Sequence, residues 1–298
     1  MRAIGTLSLI ALGLLAGAVP VRAADIIEQP VYEPEPLPEV VSGWYLRGDV
    51  GYNFKSKTEG DYGFWNYGHD GKRNQDGSYN YGSGTVDRGI DEVVHYDEMK
   101  LRDGASIGVG AGFRFSDQFR ADVTVDRFKT DVDGTSDCAY LVEIGYNISP
   151  VAGGCKYHDK SEATIWTAMA NAYVDIARFG PVTPYIGAGI GAAHVAYDDV
   201  NRQIFCGTQP GCANVAPYKG VHPGEENWRL ATSLMAGATI DITQSLKLDA
   251  GYRYTHIDDG DAYGYDAADT KYGATGVQGR DDGFDVHAVR AGLRYEFY

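Results

Sequence analysis

The chain has 298 residues, including 39 glycines and 22 tyrosines, and a formal net charge of −15 at pH 7. This acidic balance argues against a nucleic-acid partner, because phosphate binding requires a basic surface. The mean hydropathy of −0.30 fits a soluble protein. It also fits a membrane barrel, in which only every second strand residue meets lipid.

The first 23 residues have the pattern of a secretory signal peptide. Arg2 supplies a positive charge, an apolar run follows from Ile4 to Val19, and Ala23 is a suitable cleavage position. An uncleaved anchor is the alternative, although the run is short for a spanning helix. Residues 24–42 alternate prolines with glutamates, and we expect an extended periplasmic linker, with a docking segment as the alternative.

Eight later segments alternate apolar and polar residues with the period of two that defines a β-strand. In the first segment, Trp44, Leu46 and Val50 share one face, whereas Arg47 and Asp49 share the other. The predicted strands are Gly43–Phe54, Gly104–Phe115, Gln118–Thr130, Ser161–Ala177, Thr183–Tyr197, Asn227–Ile242, Ser245–Ile257 and Phe284–Tyr298.

The connections between these segments alternate between long and short. The long ones are Lys55–Asp103, Asp131–Lys160, Asp198–Glu226 and Asp258–Gly283. This rhythm, with strands long enough to cross a bilayer at a tilt, is typical of an up-and-down barrel. Residues 43–298 are therefore predicted to form an all-β, eight-stranded antiparallel transmembrane β-barrel with four long extracellular loops. A soluble lipocalin-like barrel with an apolar interior is the alternative.

The faces opposite the apolar ones carry eight positive and seven negative side chains. An unpaired buried charge costs several kcal/mol, so we expect these groups to form ion pairs that fill the barrel lumen. The predicted lumen residues are Arg47, Asp49, Arg114, Arg120, Asp122, Asp126, Asp175, Arg229, Asp241, Lys247, Asp249, Arg253, Arg290, Arg294 and Glu296. Glycine rows at 108, 110, 112 and at 187, 189, 191 share these faces and leave room for long arginines.

Four cysteines in an exported chain indicate disulfides, and three connectivities are possible. We favour Cys138–Cys155 and Cys206–Cys212, because each pair lies within one predicted loop. Metal binding is the alternative, although the chain contains no Cys-x-x-Cys motif.

No catalytic site, cofactor or specific metal site is predicted. The seven histidines have no nucleophile with an orienting acid beside them. His194 and His256 are predicted to be interfacial aromatics, and the pairs His95/Asp97 and His158/Asp159 are unspecific metal candidates. The many aspartates between Asp258 and Asp282 are predicted to be solvated, with weak divalent-cation binding as the alternative.

The last segment ends in aromatic residues, with Leu293, Tyr295 and Phe297 on its apolar face. Such a strand needs a partner for its backbone, and pairing with the first strand would close the sheet. We expect Tyr295, Phe297 and Tyr298 to carry the assembly signal, with Phe297 as its main element.

With GWYLRGDVGYNF after a proline-rich leader and AVRAGLRYEF near its end, the sequence resembles the small outer-membrane β-barrel proteins of alphaproteobacteria. These porin-family surface antigens are related to the OmpA membrane domain. The resemblance implies outer-membrane localisation, insertion by the barrel-assembly machinery, and contacts with outer-membrane lipid and lipopolysaccharide. We expect a structural protein that supports envelope integrity and displays acidic surface loops. A small-solute porin, or an adhesin or haem-binding protein with a host surface ligand, is the alternative.

Overall fold

The computed structural model describes residues 43–66, 69–73, 79–85, 89–139, 155–206 and 219–297. The predicted signal peptide 1–23, the linker 24–42, Cys212 and Tyr298 lie outside these residues. No helix in the described ranges is long and apolar enough to span a membrane.

The described residues form seventeen strands and one short helix. In chain order they are β1 (Gly43–Asn53), β2 (Ser56–Thr58), β3 (Gly60–Asn66), β4 (His69–Arg73), β5 (Tyr79–Thr85), β6 (Gly89–Leu101), β7 (Gly104–Arg114), β8 (Phe119–Asp137), β9 (Cys155–Asp175), β10 (Val182–Tyr197), β11 (Val200–Cys206), β12 (Lys219–His222), β13 (Glu226–Asp241), β14 (Leu246–Ile257), β15 (Gly260–Gly264), α1 (Ala267–Lys271), β16 (Val277–Asp281) and β17 (Phe284–Glu296).

Eight long strands coincide with the eight predicted segments, and each pairs antiparallel with two others. The pairings run from β1 through β7, β8, β9, β10, β13 and β14 to β17. β17 pairs with β1, so that Leu46 lies opposite Tyr295 and Val50 lies opposite Ala291. The antiparallel all-β fold is therefore as predicted, and the pairings of these eight strands form a continuous cycle.

The predicted count of eight strands was too low, because nine further strands lie within segments that were predicted as loops. β2 to β6 lie between Lys55 and Asp103, β11 and β12 lie in the third long connection, and β15 and β16 lie in the fourth. One end of the sheet therefore carries the long connections with their added strands, and we call it the loop end. The other end, with its three short connections, is the turn end.

β8 and β9 show why the strand ends were misplaced. Both continue well beyond the predicted limits at Thr130 and Ser161, and they stay paired as far as Asp137 and Lys156. Their outward faces change from apolar to charged at this level, where Lys129 forms an ion pair of 3.1 Å with Glu162. The criterion for a strand was an outward apolar stripe. This stripe ends near Thr130 and Ser161, whereas the hydrogen bonds between β8 and β9 continue beyond these residues.

The inward faces change in the opposite sense. Towards the turn end β8 buries Arg120, Asp122 and Asp126, but towards the loop end it buries Val132. We call the apolar cluster at this level the loop-end core. Its buried members include Tyr62, Val94, Tyr96, Met99, Leu101, Val132, Tyr157, Ala163, Ile165, Val195, Tyr197, Val200, Ile204, Ile257, Tyr263 and Phe284.

A disulfide between Cys138 and Cys155 joins the outer ends of β8 and β9, with 5.5 Å between the two Cα atoms. This pairing was predicted, and both cysteines are buried in the loop-end core. The Cys206–Cys212 pair stays a prediction, because Cys212 lies outside the described residues.

Candidate functional site

The interior of the eight-strand cycle is a network of ion pairs. All fifteen charged residues that were predicted for the lumen point inward, and each lies in at least one ion pair. None of their side chains is more than 16% exposed. The strand register brings together charges that are far apart in the sequence.

Two groups of pairs occupy different levels. In the middle of the cycle, Arg47 lies 2.7 Å from Asp49 and 3.0 Å from Asp122. Arg253 and Arg290 both contact Asp126 at a similar level.

Nearer the turn end, most of the pairs join neighbouring strands. Arg120 lies 3.2 Å from Asp175, and Arg114 lies 3.1 Å from Glu296. Arg294, which is fully buried, lies 3.3 Å from Asp249. Lys247 and Asp241 form a pair of 2.7 Å.

Neutral side chains complete the network, and the sequence analysis assigned them no role. Asn171 donates to Asp122 at 2.8 Å, and the Tyr45 hydroxyl donates to the same carboxylate at 3.2 Å. The Arg120 guanidinium lies over the rings of Tyr173 and Tyr185, at 4.3 and 4.7 Å from their centroids. These tyrosines follow the same alternation as the charged residues. Their inward position could therefore be predicted from the sequence, but their partners could not.

The lumen is closely packed around these pairs. The row glycines lie against lumen side chains: a Cβ atom on Gly112 would fall 2.3 Å from the Tyr45 ring, and one on Gly108 would meet Asp126. Two lumen cavities, beside Arg47 and beside Asn53, measure about 20 and 30 Å³. A water molecule occupies roughly 30 Å³ in the liquid, so each cavity holds about one water.

The eighth positive charge of the lumen receives its partner from outside the eight strands. Arg229 lies 2.7 Å from Asp281 of β16, and both side chains are almost completely buried. The Tyr197 hydroxyl also donates to Asp281, at 2.9 Å. The interpretation of Asp281 as a solvated loop residue was therefore wrong, because β16 folds back over the interior and turns this carboxylate inward.

A second buried ion pair lies in the loop-end core. Arg202 of β11 contacts both oxygens of Asp159 on β9, at 2.9 and 2.6 Å. It also donates to the Tyr96 hydroxyl at 2.9 Å, and its guanidinium lies 4.1 Å from the centre of the Tyr62 ring. Burial and the adjacent Asp159 carboxylate raise the pKa of Tyr96 well above its ordinary value, so this hydroxyl stays protonated.

Sequence reasoning missed Arg202 because its segment was taken for a loop. Val200, Arg202 and Ile204 alternate with exposed Asn201 and Phe205, and this period of two was the available signal. A strand assignment for this segment would have placed the charge inside.

Members of the two candidate metal pairs, His95/Asp97 and His158/Asp159, make other contacts. Asp97 forms an ion pair with Lys156 at 2.6 Å. His158 packs on Phe205 on the outer surface, whereas its neighbour Asp159 faces inward to Arg202. Across the described ranges, no cluster of three or more histidine, cysteine or acidic side chains is arranged to hold a metal ion.

The other predicted positions lie on the outer surface. His194 packs against Trp228 with 4.9 Å between ring centres, and His256 lies 2.8 Å from Asp285. Tyr295 and Phe297 point outward and contact each other, with 5.1 Å between their rings.

Comparison with known proteins identifies the family of this chain. The family described as outer membrane protein beta-barrel domain matches residues 11–297. An uncharacterized protein of Brucella suis biovar 1 (strain 1330) is 45% identical over 294 residues, which cover 96% of this chain and 95% of the relative.

Two more distant similarities were also found. A putative adhesin of Rickettsia bellii (strain OSU 85-389) is 26% identical over 188 residues, covering 63% of this chain and 73% of the relative. The crystal structure of Neisserial surface protein A aligns with a TM-score of 0.40 and 15% identity, covering 86% of this chain and 97% of that one. From the family match and the close relative, the chain belongs to the outer membrane protein β-barrel domain family and is a protein of the bacterial outer membrane.

Proposed function

We propose that this chain forms a closed, eight-stranded transmembrane barrel that supports the envelope and does not conduct solutes. The cycle of pairings leaves none of the eight strands with an unpaired edge, as a strand surrounded by lipid requires. In this proposal the barrel is inserted by the assembly machinery, contacts lipid and lipopolysaccharide, and directs its loop end to the outside.

The exterior of the eight strands supports a position in the membrane. Its exposed side chains are apolar in the middle, with aromatic residues towards both ends, as in the aromatic girdles of membrane barrels. The exposed aromatics near the turn end are Trp44, Phe115, Phe119, Phe179, Tyr295 and Phe297. Those near the loop end are Tyr52, Phe54, Trp166, Trp228 and Tyr252.

The packed lumen is the observation that carries the structural role. Solutes would have to displace the paired charges around Asp122 and Asp126, and the lumen cavities have about the volume of single waters. The apolar loop-end core covers one end of this network. A selective pore would need an open path and commonly a ring of like charges, neither of which matches this arrangement.

A second candidate function is adhesion to a host surface. The observation that favours it is the added β-structure at the loop end, which a disulfide and a buried ion pair make rigid. A rigid platform loses little conformational entropy on binding. The similarity to the Rickettsia bellii putative adhesin is consistent with this role.

The structural role predicts that the purified protein inserted into planar bilayers gives no large, steady conductance. The reason is that the paired charges fill the lumen between the described strands, and a solute would have to displace them. A porin of known conductance, inserted in the same bilayers, serves as the control for the recording. Large and long-lived openings of the folded wild-type protein would contradict the proposed role.

The position in lipid predicts that an arginine substitution costs different amounts of stability at two residues of equal exposure. Leu293 and Val93 are both 52% exposed, but Leu293 lies in the apolar band and Val93 lies in β6 near the loop end. Leu293→Arg should cost about 2–4 kcal/mol, the penalty for a cation at the bilayer midplane. Val93→Arg should change stability by about 0.5 kcal/mol or less. Denaturant unfolding in lipid vesicles measures both, and equal costs would argue against a membrane position for Leu293.

The buried Arg229–Asp281 pair predicts that removing the charge of Asp281 strongly lowers stability. Asp281→Asn should lower the free energy of unfolding by about 3–5 kcal/mol, because Arg229 would stay buried without its counter-charge. The matched control is Asp282→Asn, since Asp282 is the exposed neighbour. Denaturant unfolding compares the two variants with the wild type. Similar stability of both variants would show that Arg229 does not depend on Asp281.

The adhesion candidate predicts that binding resides in the connections at the loop end. A variant in which the predicted loops are shortened only outside the strands that carry Asp159, Arg202 and Asp281 should still fold, as judged by a heat-dependent shift in gel mobility. The same variant should lose binding to host extracellular matrix when it is displayed on cells. Unchanged binding of the folded, shortened protein would exclude this candidate.

A further inference from the structure

The hairpin of β11 and β12 closes one side of the loop-end core. β11 pairs with β9 from Asn201 to Cys206, and β12 pairs with β11 through Val200–His222 and Arg202–Gly220. Val200, Arg202 and His222 point inward and are almost completely buried. The hairpin is thus held to the core by the apolar side chains of Val200 and Ile204, one cation and one imidazole.

Arg202 holds the hairpin to the β8–β9 wall through its paired contacts with Asp159. The aromatic rings of Tyr62 and Tyr157 cover its guanidinium, with centroids 4.1 and 4.9 Å away. This site tolerates one positive charge, because Asp159 supplies one negative charge and the surrounding rings exclude water.

His222 lies on the neighbouring strand and its side chain is only 3% exposed. Within the described part of the chain, neither ring nitrogen has a hydrogen bond of normal geometry. The polar groups that influence the ring are Arg202 of β11, Asp159 of β9, Asp266 ahead of α1, and the neutral amide of Gln278 on β16. Asp269 of α1 faces Gln278 at 3.5 Å.

The charges around His222 disfavour the imidazolium. Burial and then the Arg202 guanidinium lower the pKa of His222 from 6.5 to about 4, against the opposing effect of Asp266 and Asp159. Asp159 is already engaged with Arg202, and the Asp266 carboxylate caps α1 by accepting from the Asp269 amide at 2.8 Å.

We propose that His222 makes the β11–β12 hairpin an acid-releasable strap over the loop-end core. When the ring gains a proton, a second cation arises beside Arg202 in a buried space. Release of the hairpin hydrates both cations and exposes the inner wall of β9. The eight strands of the barrel stay paired, because their hydrogen bonds to one another do not involve the hairpin.

The direction of the pH dependence follows from the lowered pKa of His222. The released hairpin binds the proton more readily than the closed one, so closure is fully stable above about pH 6.5. Stability is then lost as the pH falls from 6.5 towards 4. With these two pKa values, the ratio of open to closed hairpin should rise about thirtyfold between pH 8 and pH 5.

Hydrogen–deuterium exchange of the full-length protein in lipid vesicles tests the strap. Opening constants for β11–β12 peptides are measured at pH 8 and pH 5 and corrected for the intrinsic exchange rate. In the wild type they should rise about thirtyfold on acidification, whereas peptides from β13 and β14 should not change. Absence of the rise in the wild type would overturn the proposal.

Two variants separate His222 from other effects of acid. His222→Gln should abolish the pH ratio of the hairpin, even if it weakens closure at both pH values, because the ratio within one variant is the readout. His158→Gln is the matched control, since this histidine lies on the outside of the same wall, and it should keep the rise. If His222→Gln does not fold, His222→Asn replaces it. A pH ratio that persists in a folded His222 variant would overturn the proposal.

Discussion

Charge pairing inside the strand cycle is the constraint on which the rest of this structure depends. Each strand presents every second side chain to an interior that is too narrow for bulk water, so any cation there must meet an anion at its own level. The register of the paired strands places each cation and its anion at the same level. A shift of one residue between β1 and β17 would turn Arg294 and Glu296 out of the interior and Tyr295 into it.

The requirement extends to elements outside the eight strands. Seven acids on these strands cannot neutralise eight bases, and Asp281 supplies the missing charge from β16. Because Arg229 depends on this carboxylate, β15 and β16 cannot leave the loop end without stranding a buried cation. The fourth connection is thus part of the folded interior, although it joins two neighbouring strands.

Much of this arrangement could be predicted from the sequence. The eight segments, the antiparallel order, the inward face of every strand and the Cys138–Cys155 pairing follow from local patterns in the sequence. Alternation was readable where one face was apolar and the other charged. It became unreadable above Thr130, because the outer face there carries Lys129 and Asp131 while the inner face carries Val132. A polar segment with buried tyrosines has the composition of a loop, and only its pairing with other strands identifies it as a strand.

Partners of individual charges were beyond the sequence for a related reason. Alternation specifies which face a residue occupies, but not the level at which it meets residues of a distant strand. Arg47 pairs with its near neighbour Asp49, which any two-residue spacing permits, and also with Asp122, which only the register of three strands brings near. The same limit applies to Arg202 and Asp159, which are 43 residues apart.

The two levels of the interior also depend on each other. The ion pairs around Asp122 and Asp126 are strong only while the local dielectric is low, and the loop-end core limits the access of water from that side. Two further buried ion pairs, Arg202–Asp159 and Arg229–Asp281, attach added strands to the eight-strand cycle. An apolar lid therefore stabilises the charged lumen beneath it, while buried charges hold the lid in place.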